Sequence, residues 1–261
     1  MTIALKKLVF LSFFLFCFSS YSQTTTTDSL ENLVKYSNND TFKIRIFNLL
    51  CWNLKTTKPD KAFIYGQNAL KLGIKHGSVN SVANSLKNIG VIFLLQGNYS
   101  KSLKYSYYAL SIYEKTKNKE GIAKTLNNIG LIFFYMKNYD ESLKYYFQSL
   151  TIRQNVNDES NAAAILNIGL IYFTKGDIKK SISYNIWALQ VFRKIKSDQG
   201  IFNALNNIGM AYLNTNENQK ARKYFQEALE IRKDIDDKKG IAMSLINIGE
   251  TYKNLNKFDI A

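Results

Sequence analysis

The triplet Asn-Ile-Gly occurs five times in this chain of 261 residues, at an almost constant spacing. Successive triplets lie 40, 39, 40 and 40 residues apart, and their glycines are Gly90, Gly130, Gly169, Gly209 and Gly249. A period of a few tens of residues is typical of solenoids, in which one supersecondary unit stacks on the next. Solenoids usually present an extended binding surface rather than a reaction centre. The repeat therefore predicts a binding protein.

Each unit contains two helical patterns separated by a short polar break. Around Gly130, apolar residues between Ile122 and Phe133 recur at steps of three and four, and a second stripe runs from Leu143 to Leu150. No stretch alternates with the period of two that a strand requires. A small residue follows each glycine by twelve positions, and a large aromatic one follows it by three. Because glycine lets a neighbouring helix approach closely, this pattern predicts a tight helix contact in every unit.

The pattern resembles the tetratricopeptide repeat, or TPR. In the unit that fits best, Gly209, Ala221 and Ala228 occupy the family's small positions, and Tyr212 and Phe225 occupy its aromatic positions. The family's Trp is replaced by Leu or Ile, its closing Pro is absent, and its period of about 34 residues becomes 40. The longer period is similar to that of the kinesin light chain subgroup. The resemblance implies an all-α fold, a right-handed superhelical solenoid of antiparallel helix pairs.

The repeats define the predicted domain organisation. Residues 41–78 are expected to form an atypical first repeat, because a terminal repeat meets solvent on one face. The regular repeats and the truncated last one are expected at 83–116, 123–156, 162–195, 202–235 and 242–261. Helices are predicted over 79–95, 99–115, 119–136, 140–154, 159–174, 178–195, 199–214, 218–233 and 239–254.

The first 22 residues have the order of a secretory signal peptide. Lys6 and Lys7 precede an apolar run from Leu8 to Phe18, and small residues stand at Ser20 and Ser22 before Gln23. We expect cleavage after Ser22 and export to the periplasm or cell envelope. The alternative is an uncleaved anchor, although the apolar run is short for a span of about 20 residues. Residues 23–40 are expected to be a flexible lead-in.

The chain is strongly basic, with a formal net charge of +15. Residues 1–22 hold two of its 35 basic residues and none of its 20 acidic ones, so the mature chain would carry 33 basic residues and a net charge of +13. This balance favours an anionic partner, and an acidic peptide or protein ligand is one option. Export argues against nucleic acid, and membrane contact is expected only through a segment beyond residue 261. The alternative is a solvated basic surface.

The residues for catalysis or metal binding are scarce. The chain has one histidine, His76, expected near a helix end, and Cys51 would be its single cysteine after cleavage. One His and one Cys do not make a usual zinc site, and the glycines serve the repeat rather than a phosphate-binding loop. We therefore expect no enzyme, metal or cofactor within these residues. Cys51 lies in an apolar pattern and is expected to be a buried free thiol.

An asparagine stands two residues before each repeat glycine, although asparagine is a poor residue for a helix interior. The TPR resemblance places this position in the concave groove, where the side-chain amide could donate to and accept from a peptide backbone. The predicted groove residues are Asn88, Asn128, Asn167, Asn207 and Asn247, flanked by Asn84, Lys87, Lys124, Asn127, Asn203 and Asn206. Alternatively, each of the five asparagines bonds a neighbouring helix and fixes the stacking.

Two functions remain open on the sequence. The first is an exported protein–protein interaction scaffold that binds an extended peptide or protein segment. The second is the sensory TPR segment of a larger membrane signalling protein, since the chain also resembles the N-terminal TPR region of Bacteroidetes sensor histidine kinases and helix-turn-helix regulators. Because the last repeat stops within its second helix, we expect the chain to be a piece of a longer protein with its output domain beyond residue 261. An intracellular adaptor would require that residues 1–22 are not a signal peptide.

Overall fold

A computed structural model describes residues 23–153 and 158–255, and this part of the chain is helical throughout, without a strand. Consecutive helices are joined by short turns, as in antiparallel helix pairs. The helices are α1 (Gln23–Tyr36), α2 (Asp40–Leu54), α3 (Pro59–Lys75), α4 (Val79–Leu95), α5 (Tyr99–Lys115), α6 (Lys119–Tyr135), α7 (Tyr139–Ile152), α8 (Glu159–Thr174), α9 (Ile178–Lys194), α10 (Asp198–Asn214), α11 (Asn218–Asp234) and α12 (Lys238–Asn254).

The predicted all-α fold of helix pairs is confirmed, and most predicted helix ends lie within one residue of the observed ones. The chain divides into two compact units with the boundary after Gly121, here called the N-terminal unit and the C-terminal unit. In each unit the helices alternate between a first and a second helix of a repeat. The predicted signal peptide at 1–22, residues 154–157 and the end of the truncated repeat at 256–261 lie outside the described residues.

The segment expected to be a flexible lead-in, residues 23–40, contains helix α1 instead. Thr27 is buried, and Leu30, Glu31 and Val34 are partly buried at helical spacing. Glu31 also forms an ion pair of 2.7 Å with Lys61 of α3. The sequence prediction was wrong here because the stripe begins with threonine, a β-branched polar residue that signals neither burial nor helix. Contacts with α2 and α3 stabilise this helix, although its local sequence has low helix propensity.

Most turns between helices share one backbone feature. In eight turns a residue with positive φ follows the helix, and in six of these the next side chain caps the following helix, as in Lys137 followed by Asn138 or Gly176 followed by Asp177. The cap accepts from a backbone N–H of the new helix, such as Asp177 from Lys180 at 3.1 Å. Positive φ is typical of helix C-termini, and an Asn, Asp or Ser cap satisfies otherwise unpaired donors. These local signals reverse the chain at those turns, whereas the turn between α2 and α3 lacks them and leads into Pro59 at the start of α3.

Four of the five repeat glycines, all but Gly249, pack against the residue sixteen positions later, on the second helix of the same repeat. A Cβ atom placed on Gly209 would lie 2.5 Å from the ring of Phe225, and one on Gly169 would lie 2.7 Å from the amide of Asn185. At Gly130 the corresponding distance to Tyr146 is 3.1 Å. The glycines thus allow the close helix contact that the sequence predicted.

The small residue twelve positions after the glycine has a second role in the repeats of Gly90 and Gly130, where it is serine. The buried Ser142 hydroxyl donates to the carbonyl oxygen of Gly130 at 2.7 Å, and Ser102 makes the same bond to Gly90. This bond ties the two helices of a repeat together at their closest approach. In the repeat of Gly209 the equivalent residue is Ala221, which has no hydroxyl.

We expect Ser142→Ala to lower the free energy of unfolding by about 0.5–1.5 kcal/mol, the usual net value of one buried hydrogen bond. Ala221→Ser is the matched variant that adds the hydrogen bond, because its hydroxyl could reach the carbonyl of Gly209. Its free energy of unfolding should be unchanged or higher. Urea unfolding of both variants measures the difference. An unchanged midpoint for Ser142→Ala would show that the bond contributes nothing.

Two residues singled out in the sequence lie in the N-terminal unit. Cys51 is a free cysteine and fully buried, as expected, and burial raises the pKa of its thiol to about 12. His76 lies at the C-terminal end of α3, where its Nε2 is 2.6 Å from a carboxylate oxygen of Asp40. This contact, with Lys75 nearby, holds the pKa of Asp40 below its usual range.

Candidate peptide-binding groove

The first helices of the C-terminal unit contact one another through asparagine side chains. Asn127 of α6 donates to the carbonyl and hydroxyl oxygens of Ser160 in α8, both at 3.1 Å. Asn247 of α12 donates to Asn206 of α10 at 2.7 Å. The predicted groove residues of this unit therefore belong to one layer, here called the first-helix layer, made of α6 from residue 122, α8, α10 and α12.

Two of the five asparagines that stand two residues before a repeat glycine bond a side chain of the preceding repeat. Asn167 donates to the hydroxyl of Tyr146 at 3.0 Å, and Asn207 donates to the side-chain oxygen of Asn185 at 3.3 Å. Both partners stand sixteen residues after the preceding glycine. Burial raises the pKa of Tyr146, so its hydroxyl stays neutral and accepts the bond. These two amides link neighbouring repeats through their NH₂ groups.

Where the preceding repeat lacks a polar partner, the asparagine bonds along the first helices instead. For Asn247, the residue sixteen positions after the preceding glycine is the apolar Phe225. Asn247 donates to the side-chain oxygen of Asn206 instead. In the N-terminal unit the equivalent residue is Gly66, and Asn88 donates to the side-chain oxygen of Asn48 at 3.2 Å. Asn88 and Asn247 are both buried. The interhelical bonds that the sequence left as an alternative therefore exist.

Three of the five asparagines, Asn128, Asn167 and Asn207, have polar atoms left for a ligand. Among the described residues, no group donates to the side-chain oxygen of Asn167 or of Asn207, and the amide of Asn128 makes no hydrogen bond at all. All three residues are partly exposed. A single amide can thus hold the neighbouring repeat through its NH₂ group and still offer its oxygen to a peptide N–H.

The flanking residues differ in how far they are accessible. Asn206 is buried and occupied by Asn247, whereas Asn203 and Lys124 are partly exposed. Asn84 and Lys87 belong to the N-terminal unit, where both are partly exposed and the Lys87 ammonium lies 5.9 Å from the ring centroid of Trp52. Asn127 uses its NH₂ group on Ser160. Of the flanking set in the C-terminal unit, Asn203 and Lys124 are best placed to meet a ligand.

The two central helices of the first-helix layer carry no basic charge, and the four lysines of the layer are Lys124 of α6 and Lys238, Lys239 and Lys253 of α12. Helices α8 and α10 contain no Lys or Arg, whereas the second helices α9 and α11 contain four and five. The excess positive charge of the chain therefore lies mainly outside the predicted groove of this unit. This distribution was not apparent from the total charge.

Sequence reasoning missed one member of the asparagine series. Asn48 lies 40 residues before Asn88, accepts its hydrogen bond and is buried in α2. The signal was the period itself, because Asn48 falls in register although its repeat lacks the Asn-Ile-Gly triplet. It also missed Tyr146 and Asn185, whose roles depend on contacts with the following repeat.

The described part of the chain, residues 23–153 and 158–255, contains no cluster of three or more His, Cys, Asp or Glu side chains that could hold a metal ion. None of its helices combines the length and the apolar character needed to cross a bilayer.

Comparison with known proteins identifies the family. The tetratricopeptide repeat model matches residues 121–194 and 200–261, and the chain belongs to this family. Its fold is that of a protein–protein interaction scaffold. A search of curated protein sequences gives no match.

Solved structures share the fold at low sequence identity. A Rap protein complexed with Competence and Sporulation Factor is 14% identical, with 97% of this chain and 76% of that chain aligned at a TM-score of 0.66. A putative kinesin light chain from Podosopora anserina is 12% identical, with 74% and 96% aligned at 0.59. A STAND signal transduction ATPase with a tetratricopeptide repeat sensor, from Pyrococcus horikoshii, is 18% identical, with 92% and 40% aligned at 0.65. These likenesses support the fold alone.

Proposed function

We propose that the protein is an exported interaction scaffold that holds an extended peptide or protein segment along the first-helix layer of the C-terminal unit. The observation that carries the proposal is the set of free acceptors on three successive first helices, at Asn128, Asn167 and Asn207. An extended segment has unpaired backbone N–H groups that need such acceptors. The Asn128 amide adds a donor, since it is not used elsewhere among the described residues.

The spacing of the helices suits an extended ligand. Packed helices lie about 8–10 Å apart, and an extended chain advances about 3.3 Å per residue. One asparagine oxygen would therefore meet the backbone at about every third residue of the ligand. A helical ligand does not fit this mode, because its backbone N–H groups are already bonded within the helix.

The charge of the layer bears on the ligand's chemistry. An acidic ligand was one option from the total charge, but α8 and α10 offer it no Lys or Arg. Leu166, adjacent to Asn167, and Met210, three residues after Asn207, are partly exposed apolar residues. The ligand proposed for this unit is accordingly an extended segment of low charge with apolar side chains.

A second candidate function is the sensory segment of a larger signalling protein. It is favoured by the likeness to the STAND protein, which has a tetratricopeptide repeat sensor and of which this chain covers 40%. In this function the same groove would report a bound peptide to an output domain beyond residue 261. Reading the coding sequence downstream of Ala261 tests it, because an open frame into a kinase or helix-turn-helix domain would favour the sensor, and a stop codon would exclude it.

Peptide binding can be tested without knowing the natural ligand. A phage library of random nonapeptides would be selected on the purified protein and counter-selected on the Asn128→Ala/Asn167→Ala/Asn207→Ala variant. We expect recovered sequences that bind the original protein and have few acidic residues. Recovery of strongly acidic sequences would contradict the proposed ligand chemistry, and failure to enrich any sequence would contradict the groove.

Export gives a separate prediction. Expressed in its native host, the mature protein should begin at Gln23 and be recovered from the periplasmic or envelope fraction, because residues 1–22 have the order of a cleaved signal peptide. N-terminal sequencing of the fractionated protein measures this. Finding Met1 retained in the cytoplasmic fraction would reverse the localisation and favour an intracellular adaptor.

A further inference from the structure

The second helices of the C-terminal unit carry three neighbouring aromatic rings, here called the aromatic patch: Phe147 of α7 with Tyr184 and Trp187 of α9. Phe147 is 37% exposed and Trp187 is 45% exposed. Tyr184 lies between them, with its ring centroid 6.2 Å from each of the other two. Large aromatic side chains left together at a surface usually mark a contact site. The patch lies on the second helices, apart from the asparagines of the first-helix layer.

Basic residues frame the aromatic patch. Helix α9 contains Lys179, Lys180, Arg193 and Lys194 and no acidic residue. Lys180 and Lys194 each stand seven residues from Trp187, so they lie about two turns away on the same face of the helix. Lys180 pairs with Asp177 and Arg193 pairs with Glu227, whereas Lys179 and Lys194 form no ion pair with any described residue. The unpaired cations are therefore Lys194, on the face of Trp187, and Lys179, eight residues before Trp187 near the start of α9.

The combination of rings and lysines fits an anionic lipid surface. Centroids 6.2 Å apart place Tyr184 in contact with both neighbouring rings, so the three rings form one continuous aromatic surface. Trp and Tyr rings are enriched at the headgroup level of bilayers, and lysines extend from there toward the phosphates. Anionic lipids also attract the unpaired lysines.

We propose that the face of the C-terminal unit formed by the aromatic patch and α9 rests on an anionic lipid surface, with Trp187 at the level of the headgroups. This contact is peripheral, and it needs no spanning helix among the described residues. It is independent of the peptide groove, because it uses the second helices rather than the first. It would also give the basic charge of α9 a defined partner.

The two tryptophans of the chain make the proposal directly testable. Trp52→Phe leaves Trp187 as the single fluorescent indole, and Trp187→Phe leaves Trp52, which lies in the N-terminal unit and is 43% exposed. Both proteins would be mixed with phosphatidylcholine vesicles containing phosphatidylglycerol and brominated acyl chains, which quench indoles that reach the bilayer. We expect a blue shift and quenching for Trp187 and neither for Trp52. Residues 1–22 are the same in both proteins, so they cannot produce the difference.

Charge variants provide the second arm. Lys179→Gln/Lys194→Gln should weaken vesicle binding on the order of 10- to 30-fold, because each lysine near an anionic surface contributes about fivefold. Lys238→Gln/Lys239→Gln removes the same charge from the exposed start of α12 and should change binding by less than about threefold. Circular dichroism confirms that each variant is folded.

Three results would overturn the proposal. The first is equal quenching of Trp52 and Trp187, which would place the membrane contact elsewhere. The second is equal binding to vesicles of phosphatidylcholine alone, which would exclude recognition of anionic lipid. The third is binding of the protein to poly-glutamate without binding to vesicles, which would assign the patch to an acidic protein partner.

Discussion

Gly209→Leu should lower the melting temperature of the protein by roughly 3–12 °C, which corresponds to an overpacking cost of about 1–3 kcal/mol in a unit of this size. Even a Cβ atom at this position would lie 2.5 Å from the ring of Phe225, which is fully buried and cannot swing into solvent. The leucine side chain would force α10 and α11 apart. Thermal melts of the purified variant measure the loss.

Two further variants test whether the clash is the cause. Gly209→Ala and Gly130→Ala add the same atom, but the nearest ring atom is 2.5 Å away at Gly209 and 3.1 Å away at Gly130. We therefore expect the larger loss at Gly209. Gly176→Asn serves as the surface control, because its position has positive φ and nothing within 4 Å, and asparagine tolerates that backbone. An unchanged melting temperature for Gly209→Leu would show that the glycine does not face Phe225.

The largest expected effect on binding comes from Asn128→Ala/Asn167→Ala/Asn207→Ala. Each lost hydrogen bond to a ligand costs about 0.5–1.5 kcal/mol, so the triple variant should bind a library-selected peptide roughly 10- to 1000-fold more weakly if the contributions add. Isothermal titration calorimetry with that peptide measures the change. The ligand-free protein should also lose about 1–3 kcal/mol of stability, because Asn167 and Asn207 each bond the preceding repeat.

Two single variants separate the two roles of these amides. Asn128→Ala should weaken binding without lowering stability, because Asn128 bonds no described residue. Tyr146→Phe should lower stability without weakening binding. It removes the partner of the Asn167 NH₂ group and leaves the Asn167 oxygen in place for the ligand. If the triple variant binds the peptide normally while its melting temperature falls, the asparagines serve only to join repeats.

The architecture was predictable because its causes are local or periodic. A stripe of apolar residues, a polar break and a small residue at fixed offsets recur at a 40-residue period, and each copy confirms the next. Helix α1 shows the limit of this reasoning, since a single threonine-rich segment has no second copy to compare. Its helix depends on contacts with α2 and α3, such as the ion pair between Glu31 and Lys61.

The candidate site was predictable only in part. The repeat period predicts where each asparagine lies, but it does not predict the second group of each hydrogen bond. The register of Asn128, Asn167 and Asn207 on the first helices follows from their offset to the glycines. Which groups their amides bond depends on a residue of another helix, as with Tyr146 for Asn167 and Asn185 for Asn207. That choice arises when repeats stack and side chains about 20 positions apart meet. Tertiary packing therefore decided which polar atoms remain for a ligand.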